Sequence, residues 1–117
     1  MSTSAPVGAT GLPRTILSYL TAHTDRDVEL ALSSFAPDAV VVDDGRTYRG
    51  LDEVRGFLRN GAAEFRYTSE LVGAQRVDET HWVLVNHLEG DFPGGVVDLT
   101  YRFTIDGDRI AELSIAG

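Results

Sequence analysis

The sequence predicts an α+β fold, with helices packed on one face of an antiparallel sheet. Three observations carry this prediction. In the first half, apolar residues recur at helical spacing, as at Ile16, Leu17, Tyr19 and Leu20. In the second half the period drops to two: Val97, Leu99, Tyr101, Phe103 and Ile105 alternate with Asp98, Thr100, Arg102 and Thr104. Dense turn signals, Gly90-Asp91-Phe92-Pro93-Gly94-Gly95 and Asp106-Gly107-Asp108, then divide the alternating runs into hairpins.

Residues 1–11 are small, polar and Gly/Pro-bearing, and read as a disordered arm before a single domain over 12–117. Thr10 or Gly11 precedes a first helix with Pro13 in its first turn, where a missing N–H costs nothing. That helix ends near His23–Thr24. Asp25 reads as the N-cap of a second helix with an apolar stripe of Val28, Leu30, Ala31, Leu32 and Phe35, stopped by Pro37. The β-branched run Ala39–Asp43 is a strand, Asp44-Gly45-Arg46 a turn, and Thr47–Arg49 a short returning strand. Asp52 reads as the cap of a third helix bearing Val54, Phe57 and Leu58 and ending around Asn60-Gly61. Strands follow over 65–72, 81–89, 96–105 and 109–115.

The turn at 90–95 suggests a register in which Leu88 faces Val97. Asn86 then faces Leu99, Leu84 faces Tyr101 and Trp82 faces Phe103. A slip of one residue would expose Trp82 and Leu84, so burial favours this parity. It leaves Asn86 as the polar residue on the inner face of its strand, and puts His81 and His87 on the outer face near Thr104 and Asp98.

Composition excludes several chemistries. The 117 residues are near the modal domain size, and 43% hydrophobic with 24% charged residues is ordinary for a globular domain. Cysteine is absent, which excludes disulfides, thiolate metal sites and thiol nucleophiles. All ten basic residues are arginine, which excludes Schiff-base chemistry and a phosphate-loop lysine. The net charge of −8 argues against nucleic-acid binding, which needs clustered positive charge. Apolar runs are too short for a membrane span, and the first residues lack the basic and apolar regions of a signal peptide. The expectation is a cytoplasmic domain working with carboxylates, tyrosines, arginines and three histidines.

Several segments together resemble a known family. They are Tyr19-Leu20-Thr21-Ala22-His23 followed by Asp25-Arg26-Asp27, and Phe35-Ala36-Pro37-Asp38-Ala39-Val40-Val41-Val42-Asp43. Next come Tyr48-Arg49-Gly50 with Asp52-Glu53-Val54-Arg55-Gly56-Phe57-Leu58, and Tyr101-Arg102-Phe103-Thr104-Ile105-Asp106-Gly107-Asp108-Arg109-Ile110. Over about residues 12–116 the pattern resembles the nuclear transport factor 2-like superfamily, which holds the SnoaL-like cyclases and the ketosteroid isomerases. The resemblance implies a cone-shaped, curved antiparallel sheet wrapped around three helices, a cystatin-like α+β roll. It also implies an apolar pocket between the first helix and the concave face.

The resemblance implies a small-molecule pocket protein of isomerase or cyclase type, acting on an apolar carbonyl compound without a cofactor or metal. The alternative is a non-catalytic ligand-binding or dimeric assembly module, since the superfamily hosts many functions. Isomerase-like members move a proton with a carboxylate at the end of the first strand, which matches Asp43. They use a first-helix tyrosine as oxyanion donor, which matches Tyr19. Physically, an apolar wall beside a carboxylate favours its neutral form and makes it a stronger proton acceptor. The isomerases carry a carboxylic acid on a late strand where this chain has Tyr101, and a proline after the base where it has Asp44. Steroid isomerisation is therefore not implied.

Bland readings stand beside these. A strand-end aspartate commonly caps a turn, and a tyrosine at helical spacing commonly belongs to a core. Asn86, Trp82, Phe57 and Phe103 are candidate ligand contacts. His87 with Asp98 is either an acid/base dyad or a cross-strand surface pair. His81, His87 and Glu89 share a strand face but match no metal-binding spacing. Arg26, Arg55, Arg59 and Arg76 lie beside acidic residues and read as solvated ion pairs. The outer face, with Val83, Val85, His87 and Arg102, is the candidate surface for a homodimer.

Overall fold

The first helix, α1 (Arg14–Thr24), forms where the apolar stripe places it, with Pro13 at its N-cap and Ile16, Tyr19 and Ala22 fully buried. The structure is a computed structural model and describes residues 5–6, 12–25, 27–43, 45–64, 67–91 and 93–116. Of the expected N-terminal arm it describes Ala5–Pro6 before Leu12. These two residues form a short strand, β1, paired with Gln75 and Arg76. The expected start at Thr10 or Gly11 lies outside the described residues.

The second helix differs from expectation. Asp25 closes α1, its N–H donating to the Thr21 carbonyl at 2.9 Å. Asp27 is the N-cap of α2 (Val28–Leu32), its side chain accepting from the Leu30 N–H at 3.1 Å. The helix ends at Leu32 and not at Pro37. The Ser33 hydroxyl donates back to the Leu30 carbonyl, competing for the backbone as serines do at helix ends. Ile110 N–H then donates to the Ser34 carbonyl at 2.7 Å, so the chain leaves the helix already tied to the last strand. Phe35 and Pro37 therefore belong to β2 (Phe35–Asp43).

Gly45 turns β2 into β3 (Arg46–Arg49) with φ of +80°, and Gly50 opens α3 (Gly50–Glu64) with φ of +79°. These are left-handed values that a side chain disfavours. The expected cap, Asp52, is replaced by Glu53, whose carboxylate reaches back to accept from the Arg49 N–H at 3.0 Å. Asp52 lies 3.7 Å from Arg55 instead. The helix also runs past Asn60-Gly61, through Ala62 and Ala63 to Glu64, all three good helix formers.

The remaining strands are β4 (Tyr67–Arg76), β5 (His81–Gly90), β6 (Val96–Asp106) and β7 (Arg109–Ala116). The sheet order is β1-β4-β5-β6-β7-β2-β3, curved and not closed. The expected pairing is present in full: Leu88 with Val97, Asn86 with Leu99, Leu84 with Tyr101, and Trp82 with Phe103. One pair departs from an all-antiparallel sheet, because β2 runs parallel to β7. These two strands are joined by most of the chain and not by a hairpin, so no tight turn dictates their direction. Bulges skip Val72 in β4 and Ala111 in β7. Each adds bend and twist, which wraps the sheet around α1. Among the described residues no helix is long and apolar enough to cross a membrane.

Candidate functional site

Asp43 is the last residue of β2, half-buried, and shares by alternation the face of Ala39 and Val41, both fully buried. Across the sheet it pairs with Ile115, which pairs with Tyr101, which pairs with Leu84. This row puts the Asp43 carboxylate and the Tyr101 phenol on one inner face, with backbones about 10 Å apart over two strand spacings.

Tyr101 is buried and stacks on Phe103 at 6.3 Å between ring centroids. Phe103 meets the edge of Tyr19 at 5.8 Å, and Tyr19 meets Phe35 at 5.5 Å. Edge-to-face contacts of this kind suit the ring quadrupoles and fix the rings. Tyr19, Phe103 and Tyr101 thus form a continuous aromatic layer between α1 and the sheet. Tyr19 also stacks on His23, one helical turn later, at 5.8 Å.

Trp82 and Phe57 stand at the margins of this layer. Trp82 is buried beside Phe103 in the register, with the Arg76 guanidinium 5.8 Å from its ring. Phe57 is half-buried and packs on Tyr48 at 5.2 Å, between α3 and β3.

A cavity of about 300 Å³ opens between the end of α1 and the β4–β5 pair. Its walls come from Leu20, Thr21, His23 and Asp25 on the helix side, and from Ser69, Leu71 and Asn86 on the sheet side. Of the seven residues singled out by sequence, Asn86 lines it. The other wall residues were missed. The available signal was His23 at i+4 from Tyr19, which places both side chains on one helix face.

The outer face carries the histidines. His87 Nδ1 lies 2.6 Å from Asp98 Oδ1, and its Nε2 lies 3.0 Å from Glu89 Oε2. The hydrogen bond to Asp98, and next that to Glu89, raises the imidazole pKa above its ordinary value. His87 and Asp98 are thus the cross-strand surface pair, on the sheet face opposite Tyr101. In the β4–β5 turn, Asp78 Oδ1 accepts from the Thr80 and His81 N–H groups, each at 2.9 Å. Those bonds, with the His81 ring at 2.8 Å, hold the Asp78 carboxyl down at about 2. Among the described residues no group of three or more side chains is arranged to hold a metal ion. Arg55 is ion-paired on the surface, with its sequence neighbour Asp52 at 3.7 Å and, at 3.1 Å, with Glu29 on α2, which sequence adjacency did not indicate.

The family model of the SnoaL-like domain matches residues 16–113. A search of curated proteins finds no match. Among solved structures, a provisionally named polyketide cyclase from Sinorhizobium meliloti is 32% identical. The alignment covers 94% of this chain and 100% of that one, with a TM-score of 0.86. A protein of ketosteroid isomerase-like fold from Catenulispora acidiphila, solved with trimethylamine, is 19% identical over 90% and 85% of the two chains, with a TM-score of 0.79. A protein of nuclear transport factor 2-like fold from Cytophaga hutchinsonii is 8% identical over 87% and 85%, with a TM-score of 0.70. These last two share the fold.

Proposed function

The chain belongs to the SnoaL-like domain family of the nuclear transport factor 2-like superfamily, and we propose that it is a small-molecule enzyme of isomerase or cyclase type. Its substrate is an apolar carbonyl compound. Asp43 is the general base, Tyr19 is the oxyanion donor and Tyr101 is a second donor. The observation that carries this reading is the inner-face row joining half-buried Asp43 to Tyr101 through Ile115, with Tyr19 linked to Tyr101 through Phe103. The likeness to the Sinorhizobium protein supports the same class of chemistry.

In this reading the Asp43 carboxylate removes a proton from the carbon beside the carbonyl. The electron pair moves onto the carbonyl oxygen, where the tyrosine hydroxyls stabilise the developing enolate. The enolate is then reprotonated at another carbon, or attacks a second carbonyl of the same molecule to close a ring. No electrons are gained or lost, so the chemistry calls for no redox cofactor.

The test is proton exchange in heavy water on a panel of apolar cyclic monoketones, read by mass spectrometry against a protein-free control. Wild-type protein incorporates deuterium at the carbon beside the carbonyl. Asp43→Asn slows this by about 10²- to 10⁴-fold, the usual worth of a general base. Tyr19→Phe slows it by about 10²-fold, the usual worth of one oxyanion donor. Exchange at the wild-type rate in Asp43→Asn removes Asp43 from the mechanism.

One observation favours a second reading, a non-catalytic ligand-binding or assembly module. Tyr19, Phe35 and Phe103 pack ring to ring at 5.5 and 5.8 Å and fill the centre of the layer between α1 and the sheet.

A further inference from the structure

We propose that Asn86 is the recognition residue of a ligand site at the end of α1, and that the site takes a neutral compound of one or two rings carrying both a hydroxyl and a carbonyl. The inference rests on the pocket reading above, but not on Asp43 as the base.

Asn86 is 3% exposed and lines the cavity between α1 and β4–β5. Its register fixes it there: it pairs with Leu71 on one side and Leu99 on the other, one residue from the bulge at Val72 that bends β4. Inner positions of β5 otherwise hold Trp82, Leu84 and Leu88, so an amide is out of pattern. An amide offers one acceptor and two donor hydrogens, and the Asn86 side chain lines the cavity. Buried polar groups are nearly always hydrogen-bonded. The cavity is where this amide finds partners, in water or in a ligand that displaces it.

The remaining wall describes what enters. Leu20 and Leu71 give apolar surface, while Thr21 and Ser69 bring hydroxyls. A volume of about 300 Å³ lies at the small end of ligand pockets and suits one or two rings. Asp25 stands in the wall, no arginine does among the described residues, and the chain carries a net charge of −8. Anionic ligands are disfavoured by that field. An apolar ring system suits this wall when its carbonyl accepts from the amide NH₂ and its hydroxyl, at the far end of the ring, reaches Thr21 or Ser69.

The experiment titrates wild-type protein and Asn86→Leu with 6-hydroxy-1-tetralone and with tetralin, by calorimetry, alongside thermal melts. Wild type binds 6-hydroxy-1-tetralone, and Asn86→Leu binds it about tenfold more weakly, the worth of one or two hydrogen bonds. Tetralin binding is unchanged or tighter in the variant. The melting temperature holds or rises, because an apolar group of similar shape replaces an amide on an inner face that is otherwise apolar along β5. In wild-type protein the Asn86 side-chain amide resonances shift with 6-hydroxy-1-tetralone and not with tetralin, which tests the contact even where the variant does not fold. Absence of 6-hydroxy-1-tetralone binding, equal loss for both compounds, or a lower melting temperature with no selective loss overturns the proposal. Asp43→Asn should bind 6-hydroxy-1-tetralone as wild type does, so lost exchange activity with retained binding separates the two readings.

Discussion

His87 sits between carboxylates on three sides. Asp98 and Glu89 hydrogen-bond its two ring nitrogens, and Glu70 is its register partner on β4. The pKa of the folded state is raised, by Asp98 first and Glu89 second. A raised value means the protonated ring favours folding. That contribution is complete below the unfolded value of about 6.5 and is lost as pH rises through the higher folded value. An NMR titration of His87 should therefore show a midpoint above that of a free imidazole. Across pH 6 to 8.5, wild type should lose more thermal stability than His87→Gln. Parallel melting curves for the two proteins would contradict this. The same residue shows what could be read beforehand. Its pairing with Asp98 follows from strand parity alone, because a hairpin register assigns every cross-strand neighbour. So does the inward position of Asn86, and so does Tyr101 opposite Leu84. The Asp43–Ile115–Tyr101 row was not readable. It needs the pairing of β2 with β7, whose residues are far apart in sequence and joined by no turn.

Capping decides the helical segment. Asp25 and Asp27 both suit an N-cap by residue type, and only one performs it: Asp27 accepts from the Leu30 N–H, while Asp25 sits at the C-terminal end of α1. There its negative charge meets the carbonyl end of the helix dipole, an unfavourable place for it. Asp27→Ala should cost about 1 kcal/mol in urea unfolding, the usual value of a lost N-cap. Asp25→Ala should leave stability within about 0.5 kcal/mol, as exposed substitutions do. Equal costs at the two positions would refute the capping assignment. α1, α3 and the strands from β3 to β7 follow periodicity and turn residues, although β4 runs to Arg76 and not to Val72, and α3 runs to Glu64; the strand at Ala5–Pro6 falls in the expected arm and carries no strand signal. The error clustered at 25–37. There the chain makes a helix of five residues and then a nine-residue strand. Short helices leave too few turns for a 3.6-residue pattern to stand out, and Pro37 is equally compatible with a strand beside a register shift. The end of α1 contributes to the cavity for a similar reason. Which strands a helix end covers depends on how the sheet curves, and the bulge at Val72 that bends β4 leaves no plain mark in the sequence.

At the scale of the whole molecule, the outer sheet face has a pattern of its own. Its middle, around Val85, is small and neutral: Val85 on β5 is half-buried, with Gly73 and Thr100 as its partners along the pairing. Charge lies on either side of it. His87, Glu89, Asp98 and Glu70 occupy one side, and on the other Asp78, His81, Arg102 and Glu112, with Val83 among them, line a hollow of about 470 Å³. An apolar middle bounded by polar groups is how protein interfaces are built, and twofold pairing of identical chains is the commonest assembly. We propose that two copies pack back to back through this face, leaving both cavities at α1 open to ligand. Each copy carries a net charge of −8, so association works against like-charge repulsion and should tighten with salt. Sedimentation at tens of micromolar protein should give twice the 12.7 kDa chain mass. Val85→Glu places a charge in the neutral middle and should return the single-chain mass, while 6-hydroxy-1-tetralone binding persists because Asn86 points to the opposite face. A single-chain mass for wild type at high salt would rule the pairing out. A dimer that tolerates Val85→Glu would place its contact on a different surface.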